Sequence, residues 1–138
     1  MTRRRKAREL LVQSLYAAEI SSSSLEHALT DQIARRNPGK DSIEYIRARA
    51  KYQAAHREEL DEAIDAVLTG WRPERVSPVE RCILRMSLGE LREVGSPPAG
   101  VVLDEAVELA RTFSGDDAAR FVNGVLDKLL KQMRDSGS

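Results

Sequence analysis

SPVERCILRMSLGELREV, residues 77–94, contains a helix start written in side-chain chemistry. Ser77 stands at the N-cap, Pro78 at the first helical position and Glu80 three residues beyond the cap. In that arrangement the serine oxygen accepts from the Glu80 amide, the glutamate reaches back to the Ser77 amide, and proline's missing N–H falls where no partner is needed. Such a cap contributes about 0.5 to 2 kcal/mol. The helix should run to about Val94. Its apolar arc, Val79, Ile83, Leu84, Met86, Leu88 and Leu91, spreads round most of the circumference, which predicts a central place in a helical bundle. Arg81, Arg85 and Arg92 form the polar stripe. Glu90 falls inside the apolar arc, where an ionised carboxylate needs a cation or hydrogen-bond donors. Cys82 reads as a core thiol, and as the only cysteine it excludes an internal disulfide and any multi-cysteine zinc site.

Apolar residues recur at three and four on both sides of this helix, while alternating strand-like runs are scarce. The fold class is therefore all-α, a helical bundle of about six to seven helices. Toward the C-terminus, GSPPAG (95–100) breaks the chain, and VVLDEAVELARTF (101–113) makes a helix burying Val102, Ala106, Ala110 and Phe113. SGDD (114–117) offers a further start with Ser114 or Asp116 as cap. The last helix buries Val122, Val125, Leu126, Leu129 and Met133, then frays in residues 134–138. Toward the N-terminus, Gly70 and Pro73 bracket Trp71. Residues 41–69 hold helix formers without internal Gly or Pro, and fit one long helix or two with a break near His56. A weaker pattern through Leu25, Ala28, Leu29 and Ile33 stops at Asn37, Pro38 and Gly39. Ser21 to Ser24 separate it from a first helix over about Arg4 to Ile20. A length of 138 residues suits a single domain, 1–138, with a basic cap at 1–8.

The chain carries 22 Lys+Arg and 22 Asp+Glu, yet Arg3, Arg4, Arg5, Lys6 and Arg8 all precede the first carboxylate, Glu9. The cap is +5 and the rest of the chain −5, a polarity that steers a polyanion because screening over about 8 to 10 Å favours nearby charges. On a helical wheel Ala7, Leu11, Ser14, Leu15 and Ala18 share one face, flanked by Leu10, whereas Arg5, Lys6, Glu9, Gln13 and Tyr16 lie near the other. Arginine and lysine bind phosphate, Gln13 can read a base edge, and Tyr16 can stack on an unpaired base, which suits single-stranded RNA better than duplex DNA. The competing reading is a solubilising terminus and a tyrosine used for packing.

Catalytic chemistry finds little support. His27 and His56 are the only histidines and neither sits in an HExxH frame, while His56 and Glu59 read as a solvated pair. Asp104, Glu105 and Glu108 form a solvated acidic face rather than a metal site, and no glycine-rich phosphate loop or nucleophile elbow occurs. No catalytic residue, metal ligand or cofactor is expected. With no signal peptide and no long apolar run, the chain reads as cytoplasmic and without membrane contact.

ARELLVQSLY (7–16), the run from Trp71 through Leu91, EAVELA (105–110), the acidic turn and above all FVNGVLDK (121–128) together resemble the NusB family of transcription antitermination factors. The resemblance is strongest over 3–19 and 71–129; residues 21–70 match mainly in helical character. It implies two small helical bundles packed around the N-terminal helix. The activity it implies is binding of the boxA element of nascent ribosomal RNA together with NusE, a small-subunit ribosomal protein, within the RNA polymerase antitermination complex. Such an adaptor has no catalytic residue. By this resemblance Arg3, Arg4, Arg5, Lys6, Arg8, Gln13 and Tyr16 would contact RNA, joined by Phe113, Asp117 and Arg120, while Glu80 and Arg85 would contact NusE. Two positions depart from the family pattern, with Gly89 where an aromatic is common and Asp104 where asparagine is common.

Two rival readings remain at this level. RNA cytosine methyltransferases carry a NusB-like N-terminal domain, against which the chain's length argues. The other is a protein-only interaction module or homodimer that covers the tyrosine face.

Overall fold

A computed structural model describes residues 3–68, 76–93 and 97–137. Six α-helices follow in order: α1 (Arg3–Ser21), α2 (Leu25–Arg36), α3 (Lys40–Val67), α4 (Pro78–Arg92), α5 (Ala99–Ser114) and α6 (Asp116–Gly137). No strand occurs among the described residues. The chain divides into two compact units, Met1–Ala55 and His56–Ser138. The expected segment around Gly70, Trp71 and Pro73 lies outside the described residues, as does Val94.

The division answers the question left open over residues 41–69. Helical backbone geometry runs through α3 except at His56, whose φ of −120° and ψ of 15° leave the helical region. One helix in sequence thus serves two units, and its break falls at the weak point of the apolar pattern.

In the first unit, α1 packs on α2. Ala7, Leu10, Leu11, Ser14 and Leu15 are buried as the wheel requires, and Ser14 satisfies its hydroxyl by donating to the Leu10 carbonyl at 2.9 Å. Val12 and Arg8 are buried as well, so burial extends beyond a single face. Ser24 caps α2 by accepting from the His27 amide at 3.1 Å. Asn37 ends the helix in the left-handed region at φ 46°, donating its N–H to Ile33 O at 2.8 Å. Pro38 cannot extend the helix, and Gly39 at φ 90° takes a backbone conformation that side chains disfavour.

In the second unit α4 is the central element: every residue from Cys82 to Glu90 is buried, and both α5 and α6 pack against it. The capping box forms as expected, Ser77 Oγ accepting from the Glu80 amide at 3.1 Å and Glu80 Oε2 accepting from the Ser77 amide at 3.3 Å. Each fully buried leucine or isoleucine, such as Ile83, Leu84 and Leu88, stabilises by about 1.5 to 3 kcal/mol. Glu90 is 1% exposed and is not left without a partner.

Three expectations need correction. Phe113 and Met133 are half-buried, because the buried stripes of α5 and α6 close on Leu109, Ala110 and Leu129 instead. Neither Ser114 nor Asp116 caps α6: Gly115, at φ 93°, both ends α5 through its N–H to Arg111 O and opens α6 by accepting from the Ala119 amide at 3.1 Å. The last helix does not fray at residue 134 but continues to Gly137.

Candidate nucleic-acid interface

The basic cap is helical from Arg3, so its five cations occupy fixed directions and sort into different environments. Arg3 and Lys6 are exposed and, among the described residues, make no ion pair. Arg4 is exposed but its guanidinium lies 3.8 Å from the centroid of the Tyr45 ring on α3. Arg5 is half-buried and partnered. Arg8 is 3% exposed, which corrects its assignment to an RNA-contacting cap. The reason is helical spacing, since Arg8 stands three, four and seven residues before Leu11, Val12 and Leu15 and shares their buried side.

Tyr45 organises the charge. Besides Arg4, the guanidinium of Arg49 lies 5.3 Å and that of Arg8 5.9 Å from its ring. Each cation–π contact contributes about 0.5 to 2 kcal/mol, according to how far it is desolvated. Sequence reading passed over Tyr45 and Arg49, although their four-residue spacing in IEYIRAR puts them one turn apart on one helix face.

Further along α1, Tyr16 is 37% and Ile20 58% exposed, one turn apart. The ring is available for stacking, as its position on the wheel requires. Gln13 is half-buried rather than outward-facing, and its Oε1 is shielded from solvent without a hydrogen-bond partner among the described residues.

The remaining candidates belong to the second unit. Asp117 and Arg120 are exposed and paired with each other one turn apart, and Phe113 is half-buried. Arg111 bridges the ends of α5 and α6, hydrogen-bonding Asp116 at 3.0 Å and pairing with Glu108. The Asp116 hydrogen bond, then the Glu108 charge, raise the Arg111 guanidinium further above its ordinary range.

The two expected partner contacts are not alike. Glu80 is half-buried with one oxygen committed to the cap. Arg85 is 6% exposed, donating from Nε to Asp61 Oδ1 at 2.6 Å and from Nη2 to Oδ2 at 3.3 Å. That bidentate pair withdraws Arg85 from the surface and corrects its reading as a direct contact. Arg81 flanks it, 2.9 Å from Asp65 and 3.7 Å from Asp61.

Among the described residues, no helix is long and apolar enough to cross a membrane, and no group of three or more His, Cys, Asp or Glu side chains is placed to hold a metal ion.

Comparison with known proteins gives one consistent result. The sequence pattern of the NusB family matches residues 5–131. A transcription antitermination protein NusB of Symbiobacterium thermophilum is 37% identical over 139 residues, spanning 95% of this chain and 91% of that one. A crystal structure of the antitermination factors NusB and NusE in complex with dsRNA aligns with a TM-score of 0.86 at 28% identity, covering 96% of this chain and 98% of its counterpart. The solution structure of NusB from Aquifex aeolicus aligns with a TM-score of 0.84 at 29% identity, covering 100% and 94%.

Proposed function

The chain belongs to the NusB family, and from that premise we propose that it is a cytoplasmic, RNA-binding antitermination adaptor that takes the boxA element of nascent ribosomal RNA together with NusE. Its work is recruitment, with no reaction catalysed. The observation that carries the reading is the exposed flank of α1, where, among the described residues, Arg3 and Lys6 stand without ion pairs and Arg4 is held on the Tyr45 ring, about three to four turns before the exposed Tyr16.

These groups divide the labour of binding. Arg3, Arg4 and Lys6 attract and position phosphates, a contribution that is independent of sequence and sensitive to salt. Tyr16 adds a stacking surface that a splayed base can use and a base inside a duplex cannot, so the preferred ligand is single-stranded. Gln13 reaches a base amino group by turning its half-buried side chain outward. The Asp117 and Arg120 pair and Phe113 form a second, independent candidate contact in the other unit. NusE engages the exposed side of α4 through Glu80, with Arg85 shaping that helix from beneath by way of Asp61.

The test is titration of a labelled boxA-like single strand and of the same sequence as a duplex, with and without NusE, at two salt concentrations. An adaptor binds the single strand, binds it more tightly beside NusE, and loses affinity with salt along a slope near −2 for about three phosphate contacts at about 0.7 each. The rival protein-only reading rests on the exposed Tyr16 and Ile20, one turn apart on α1, as a homodimer face. It predicts no RNA binding under any of these conditions and a concentration-dependent dimer in sedimentation.

A further inference from the structure

The N-terminal unit contains a cleft of about 550 Å³ between the first turns of α1 and the α2–α3 turn. Its size falls within the range of about 300 to 1,000 Å³ usual for ligand pockets. Arg3 and Lys6 enter it from α1 and Arg36 from the end of α2. Among the described residues none of these three cations makes an ion pair, in contrast to Arg35 beside them, which holds Asp31 at 3.2 Å. Pro38 supplies an apolar floor above the buried Ala7 and Leu10, and Asn37 and Ser42 add hydrogen-bonding groups. A smaller hollow of about 350 Å³ adjoins it, sharing Arg3, Pro38 and Ser42 and adding Lys40 and Asp41.

The wall is firm where it needs to be. The left-handed Asn37, the ring of Pro38 and Gly39 at φ 90° fix the turn backbone, and the Gly39 carbonyl accepts from the Ile43 amide at 3.0 Å to start α3. Three uncompensated cations beside an apolar floor match a ligand that is anionic at one end and flat and apolar at the other. Glu9 also lines the cleft, so three cations stand against one carboxylate there, and that carboxylate is an acceptor a base amino group can use.

We propose that this cleft seats one unpaired nucleotide of the bound strand, its phosphate on Arg3, Lys6 and Arg36 and its base against the ring of Pro38. The inference rests on the RNA-binding reading above and extends the interface from α1 to the α2–α3 turn. A base-paired nucleotide cannot lay its face on the floor, so the cleft selects single strands. The path of the strand then follows from the cations left uncompensated rather than from the basic run alone.

Anisotropy titrations of the boxA-like single strand, with NusE present, compare the wild-type protein with Arg36→Ala, Arg35→Ala and Arg3→Ala. One phosphate contact contributes roughly the inverse salt molarity raised to the power 0.7, so Arg36→Ala should weaken binding about fivefold at 0.1 M salt and about twofold at 0.4 M. Arg35→Ala removes no phosphate contact and only leaves Asp31 without its partner, so its effect should stay well below that of Arg36→Ala. A photoreactive base in the same strand should crosslink within residues 36–42. Equal effects of Arg35→Ala and Arg36→Ala, or an Arg36→Ala protein that binds like wild type while Arg3→Ala is weakened, overturn the cleft and leave the α1 interface standing. Inorganic phosphate or a free mononucleotide that displaces the crosslink at micromolar concentration makes this a small-anion site and also overturns it. Absence of wild-type binding overturns the function reading itself.

Discussion

Replacing both Arg3 and Lys6 with alanine separates what the basic cap does from what it looks like in sequence. Both side chains are exposed and, among the described residues, uncompensated, so each is available to displace a counterion from a bound strand. With about 0.7 of slope per contact on a single strand, losing two flattens the dependence of log affinity on log salt by about 1.4. At 0.1 M salt that is a loss of about 25-fold, shrinking to about fourfold at 0.4 M. Arg8→Ala removes one formal charge from the same cap, as each of those substitutions does, yet Arg8 is 3% exposed beside the Tyr45 ring. Its replacement should leave the slope unchanged and instead lower stability by about 1 to 2 kcal/mol, through lost packing of its stem and a lost cation–π contact. The measurement is anisotropy of a labelled single strand over a salt series of about 0.05 to 0.4 M, with urea unfolding of each variant alongside. A flattened slope for Arg8→Ala, or an unchanged one for the double variant, would show that burial does not decide which cations meet RNA.

Other consequences follow from single side chains. Tyr16→Ala should weaken single-strand binding by about 1 to 3 kcal/mol with the salt slope intact; an equal loss on a duplex of the same sequence would rule out stacking. Asp61→Ala leaves Arg85 buried without its bidentate carboxylate, and urea unfolding should register a loss of about 3 kcal/mol, a change under about 0.5 kcal/mol being incompatible with a structural pair. Ser77→Ala breaks the capping box of α4 and should lower unfolding free energy by about 0.5 to 2 kcal/mol without altering RNA affinity.

The central helix was readable because its determinants are local. SPVE states its own cap, and an apolar arc around most of the circumference leaves a helix nowhere but the interior, as the burial of Cys82 through Glu90 bears out. Local chemistry also announced the α2 stop at Asn37 and the irregularity at His56. What escaped was tertiary. The run of charge and the family resemblance group Arg8 with its basic neighbours, although its spacing from Leu11 and Leu15 puts it on the side that the fold carries inward. Arg85 was assigned to a surface for the same reason, since its partner Asp61 is 24 residues away and nothing near it in sequence names it. Tyr45 escaped because a ring among charged residues on a long helix looks like ordinary solvated surface until three guanidinium groups are found around it.

The recurring distinction is between charge and uncompensated charge. Arg81 and Arg85 hold Asp65 and Asp61, Arg111 holds Glu108 and Asp116, and Arg120 holds Asp117, so these arginines present dipoles rather than net fields to an approaching polyanion. Arg35 and Arg47 in the first unit are likewise taken up, by Asp31 and Glu26. Against that background Arg3, Lys6 and Arg36 stand out, making no ion pair among the described residues while lining one cleft. Exposed ion pairs contribute little to stability, so their chief effect here is to cancel attraction at places where a strand would otherwise adhere without order. A neutral chain can in this way direct RNA to one flank. The site is marked by where cations outnumber carboxylates, Arg3, Lys6 and Arg36 against Glu9, and supplying a further carboxylate tests the principle directly: Ser42→Asp, within the cleft, should weaken single-strand binding at low salt by at least as much as removing Arg36, with the difference vanishing as salt is raised.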